Sequence, residues 1–132
     1  MAAVLNRVKV ATATAGAGTI TLGAAVAGSG NLYVGGYTDS EIAAGEANLG
    51  QEDGFVAKYS PTGTFVWASQ IAQSSVDTKT FGGSVFYDRR SGSVWSIGSF
   101  AGGTTFNNFS GSGGTGFIAR GVYDTFIIKY SA

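Results

Sequence analysis

Five acids fall within fifteen residues of this chain: Asp39, Glu41, Glu46, Glu52 and Asp53. Carboxylates so close suggest either a Ca²⁺ loop or a hydrolytic pair, Asp39 with Glu41 or Glu52 with Asp53. A Ca²⁺ loop needs oxygen ligands at regular intervals, and these acids are irregularly spaced. A catalytic pair needs apolar surroundings that drive the two pKa values apart, and the residues among these acids are mostly small or polar. The chain has no histidine and no cysteine, which removes the commonest general base, the thiolate nucleophile and the usual transition-metal ligands. The stretch therefore reads as a solvated loop with a helical turn over 41–47. No enzyme activity, metal or other cofactor is expected.

Aromatic side chains offer the other chemistry, since Trp67 and Trp95 could stack on a sugar ring. Both lie in alternating strands, where packing in a core is the commoner fate, so a glycan site is expected to use loop aromatics instead. Charged residues are only 12% of the chain, against ~25% in an average protein, and eight Lys plus Arg balance eight Asp plus Glu. No field exists to attract nucleic acid or an anionic membrane surface. No apolar run reaches the ~18 residues of a membrane-spanning helix, and Arg7 and Lys9 interrupt the first apolar stretch, so a cleaved leader is not expected.

What must position these residues is a unit written about twice. Asn31-Leu32-Tyr33-Val34-Gly35-Gly36-Tyr37-Thr38 aligns with Ser93-Val94-Trp95-Ser96-Ile97-Gly98-Ser99-Phe100 at a shift of 62. Asp53-Gly54-Phe55-Val56-Ala57-Lys58-Tyr59-Ser60 aligns with Asp124-Thr125-Phe126-Ile127-Ile128-Lys129-Tyr130-Ser131 at a shift of 71. The second unit thus holds nine extra residues (71 minus 62) between its blocks. Twenty-two glycines and nine phenylalanines fit short strands, tight turns and an aromatic core.

In chain order, residues 4–10 (Val4, Leu5, Asn6, Arg7, Val8, Lys9 and Val10) alternate as a strand with one wet face, and 11–18 form a featureless connector. Thr19-Ile20-Thr21-Leu22 opens the first unit. Gly28-Ser29-Gly30-Asn31 and Arg90-Ser91-Gly92-Ser93 are equivalent turns, and Ser60-Pro61-Thr62-Gly63 turns a hairpin into 65–71. Residues 72–80 read as polar loop. Alternation puts Phe55, Ala57, Tyr59, Phe126, Ile128 and Tyr130 in the core, with Lys58 and Lys129 on the opposite parity. The glycine-rich 102–123 contains an apolar run in which Phe117, Ile118, Arg120 and Tyr123 form a candidate contact loop.

The fold expected is all-β: two repeated, roughly four-stranded antiparallel sheets, arranged like propeller blades or packed as a sandwich. The organisation is an arm and connector over 1–18, a first repeat over 19–80 and a second over 81–132, in a single compact domain. The second repeat lacks a counterpart of the strand at 65–71. Its open edge after Tyr130 is expected to take the arm 4–10 as a closing strand, within the chain or from a neighbouring subunit.

The blocks at 31–34, 55–59 and 63–67, and again at 92–100, 103–106 and 124–130, resemble the SBBP-type β-propeller repeat over about 30–132. That resemblance implies four antiparallel strands per blade and no chemistry. The first 28 residues, with Asn6-Arg7-Val8-Lys9-Val10 and Thr12-Ala13-Thr14-Ala15-Gly16-Ala17-Gly18-Thr19, are similar to the start of bacteriophage virion proteins of the tail and neck region. Together the resemblances imply a structural protein on the exterior of a phage particle: a capsid decoration, head-fibre or tail-associated protein. It would assemble with itself and dock on neighbouring virion proteins. Three copies of two repeats would make a six-bladed ring, so a trimer is favoured. A propeller-type lectin or adhesin, taking a host-surface glycan, is the alternative.

Overall fold

The computed structural model describes residues 11–12, 18–39, 41–42, 52–74, 80–106 and 115–131. All of its regular elements are strands: β1 (Ala11–Thr12), β2 (Thr19–Val26), β3 (Leu32–Thr38), β4 (Glu41–Ile42), β5 (Asp53–Tyr59), β6 (Phe65–Gln70), β7 (Ala72–Ser74), β8 (Thr80–Asp88), β9 (Ser93–Phe100), β10 (Gly103–Phe106), β11 (Thr115–Ile118) and β12 (Asp124–Ser131). Every pairing is antiparallel. Sheet one has the order β2-β3-β5-β6 and sheet two the order β12-β9-β8.

The duplication read in the sequence is a duplication of pairing. Gly30 and Gly92, at positive φ of 84° and 66°, close the equivalent β2–β3 and β8–β9 turns, a conformation that favours residues without a Cβ. In the second turn Asp88 accepts hydrogen bonds from the Ser91 hydroxyl at 2.6 Å and the Arg90 N–H at 2.9 Å. Those bonds, Ser91's foremost, hold its carboxyl below the usual carboxylate range. The small strands repeat as well. β1, just before β2, pairs with β4, just after β3, and β7, just before β8, pairs with β10, just after β9. The residue excess of the second unit contains β11, which folds back on β10.

Three local expectations are corrected. Ala11–Thr12, placed in a featureless connector, pairs with Glu41–Ile42, which is extended and not the start of a helical turn. Ala72–Ser74, expected as loop, is strand. Such short pieces pair through backbone groups and leave no side-chain periodicity to read. The arm 4–10 lies outside the described residues; among those described, β12 pairs with β9 alone.

Sheet two stacks on sheet one through β8, which lies across β2, β3 and β5. Tyr33, Val56 and Trp67 of sheet one meet Val85, Tyr87, Val94, Phe126 and Tyr130 of sheet two in one cluster. Tyr33 stacks on Tyr87 with ring centroids 6.2 Å apart, and Trp67 meets Tyr130 at 6.0 Å with the rings tilted by 35°. The far face of sheet one holds a second cluster of Val34, Phe55, Ala57 and Tyr59. Phe55, Ala57, Tyr59, Phe126 and Tyr130 are buried, as alternation predicts, and Ile128 is partly buried. Val56, on the other parity, is fully buried too, because β5 is covered on both faces.

Tyr130 carries a pH consequence. Burial pushes its phenol up to about 12, against a smaller downward pull from the Ser69 hydroxyl, and burial also raises Tyr59. An unfolded tyrosine loses its proton near pH 10, so above that pH the unfolded chain binds fewer protons than the folded one and stability falls. Stabilisation from Tyr130 should be intact below about pH 10 and lost between about 10 and 12, by roughly 2 to 3 kcal/mol. Urea unfolding of the wild type and Tyr130→Phe across this range checks it: the variant should show the shallower loss, and parallel curves would refute the assignment.

Candidate functional site

The site is built from the parity of β8, β9 and β12 that points away from sheet one. Cross-strand register places Phe86 opposite Trp95, Trp95 opposite Lys129, and Ile97 opposite Ile127. Side chains directly opposite in an antiparallel pair are about 4.5–5.5 Å apart at Cβ, so these five form one patch. Phe86 and Trp95 stack with an interplanar angle of 4° and centroids 6.1 Å apart. The Lys129 ammonium sits 5.4 Å from the Trp95 ring centre, within cation–π reach. With Asp88 at the rim, Phe86, Trp95, Ile97 and Ile127 line a shallow, almost wholly apolar depression. Phe86 is 51% exposed, Ile97 39% and Ile127 63%.

These side chains are not in the core, which corrects the expectation for Trp95. Trp67 does pack against the core, between Tyr33 and Tyr130. Trp95 faces outward because sheet one covers the opposite parity of β9, where Val94 and Ser96 are buried. The sequence did carry a signal: Phe126-Ile127-Ile128 and Val94-Trp95-Ser96-Ile97 are apolar at both parities, as expected of a sheet made to be covered on two sides.

The predicted contact loop lies elsewhere, and none of its residues lines the depression. Ile118 is 80% exposed, Arg120 is exposed, and Tyr123 is half-exposed with its ring 5.7 Å from Phe81. The Arg120 N–H donates to the Asp124 carboxylate at 3.0 Å, which fixes the turn into β12. Phe117 belongs to β11, and its side chain lies outside the described residues.

Asp39 accepts the Gly18 N–H at 2.6 Å, and Asp53 is buried within β5. Among the described residues no three acids converge as a cation site would require; Glu46 lies outside them. No known family model matches the chain, and no curated protein matches it.

Proposed function

We propose that this protein is a structural component of a bacteriophage particle, borne on its exterior as a capsid decoration, head-fibre or tail-associated protein, and that it acts by β-mediated self-assembly. The observation that supports assembly is the outer face of sheet two. It presents two aromatic and two branched aliphatic side chains together on a sheet face, with Asp88 and Lys129 as the charged groups at its margin. Contiguous exposed apolar surface rimmed by polar residues marks an interaction site. The near absence of net charge agrees with contacts made by packing instead of ionic attraction. Placement on a virion draws on the resemblance of the first 28 residues to tail and neck proteins.

The aromatic pair favours one competing reading, a glycan platform. Sugar recognition needs polar groups that fix hydroxyls beside the stacking ring, and the carboxylate at this rim, Asp88, already accepts two hydrogen bonds within its own turn. Molar mass against concentration tests the proposal. The wild type should form oligomers, and Ile127→Asp should be a folded monomer, because a charge in a desolvated apolar contact costs several kcal/mol. A wild type that is monomeric at every concentration would defeat the assembly reading. Binding on a glycan array that is lost in Trp95→Phe would install the lectin reading.

A further inference from the structure

Resting on the assembly reading, the structure assigns a specific occupant to the outer face of sheet two: strand β2 of a second copy of this chain, stacked head to tail. Paired register equates Trp95 with Tyr33, Ile97 with Gly35, Ile127 with Val56 and Phe86 with Ala25. The outer face of sheet two is therefore the same face that, in sheet one, is already covered by the next sheet along the chain. Even the lysine recurs, with Lys58 over Tyr33 at 5.6 Å where Lys129 lies over Trp95.

In the internal interface the covering strand is β8, which sets Val85 against Gly35 and Tyr87 against Tyr33. The same register equates Val85 with Ala24 and Tyr87 with Val26. In this chain those β2 residues are uncovered: Ala24 is exposed and Val26 is 61% exposed. Each copy thus shows both halves of one interface type, a receiving face on sheet two and a covering strand on sheet one.

Where Gly82 and Gly54 let the internal backbones touch, the equivalents are Thr21 and Thr125, so β2 lies further from the receiving face than β8 does, and at the remaining positions side-chain sizes fit that wider approach. A Cβ on Gly35 would lie 2.5 Å from Val85, so the internal interface sets a large residue on the strand against a small one on the face. On the outer face all four positions are larger, Gly35 becoming Ile97 and Ala25 becoming Phe86. On β2 both covering positions are smaller, Val85 becoming Ala24 and Tyr87 becoming Val26. Interiors pack at fixed density, so enlargement on one side calls for reduction on the other. A self-paired face, Phe86 and Ile97 against their own copies, has no such compensation.

A head-to-tail interface uses two different surfaces, which makes it separable by mixing. Val26→Asp and Ile127→Asp should each be monomeric by sedimentation, whereas an equimolar mixture should form a 1:1 dimer. In that mixture one variant supplies an intact face and the other an intact β2, and the two remaining surfaces are blocked. Val26 and Ile127 are both exposed, so the variants should keep the wild-type circular dichroism; Phe86→Asp replaces Ile127→Asp if that chain does not fold. Wild-type oligomers that survive Val26→Asp but not the face variant would overturn the head-to-tail assignment and leave assembly through the face standing. A monomeric wild type would overturn both.

Discussion

Gly82→Ala should cost about 3 kcal/mol or more, a large share of the folding free energy, although it adds a single methyl group. Sheets packed face to face ordinarily sit about 10 Å apart, separated by side chains. At Gly82 the backbones themselves meet: a Cβ there would lie 2.0 Å from the Gly36 carbonyl oxygen and 3.1 Å from the Gly54 Cα. Gly54 is symmetrical in this respect, since its own Cβ would lie 2.7 Å from the Gly82 nitrogen. Neither obstacle is a side chain that can rotate aside, so the sheets must separate and loosen the cluster of Tyr33, Val56, Val85 and Phe126. Overpacking a core commonly costs about 1–3 kcal/mol, and a rigid backbone obstacle puts this change at or above the top of that range. Against a total stability of about 5–15 kcal/mol, that moves the urea midpoint far down. Gly28→Ala is the control, because a Cβ there meets nothing within 4 Å. It should stay within about 1 kcal/mol of wild type, and equal midpoints for the two variants would show that the sheets do not touch at Gly82.

Much of this was legible in the sequence because strands announce themselves by parity. The match of 31–38 with 93–100 and of 53–60 with 124–131 predicts β3, β9, β5 and β12, and the glycine turns at Gly30 and Gly92 follow from it. Parity assigns residues to a face but does not say which faces are covered. Phe126 and Ile127 look alike in sequence, yet one is buried against sheet one and the other is 63% exposed. For the same reason parity alone hides the burial of Val56 and puts Trp95 in the core. The order in which sheets stack is a tertiary fact, carried here by glycines whose missing side chains admit a neighbouring backbone, and composition shows the glycines without showing what they admit. The short β1–β4 and β7–β10 pairs were illegible because their geometry is held by the backbone.

If the outer face of sheet two becomes buried when copies meet, Trp95 reports on it from within. The chain has two tryptophans, so Trp67→Phe leaves Trp95 as the sole indole. This residue is half-buried in one copy, its ring open to solvent beside the exposed Phe86 and Ile127. Burial beneath a second copy excludes that water and shifts indole emission to shorter wavelength. The decisive measurement is emission and acrylamide quenching of Trp95 across the concentration range in which molar mass rises. The account predicts a blue shift and loss of quenching that track the mass, both abolished by Ile127→Asp; a rising mass with emission and quenching unchanged would contradict it.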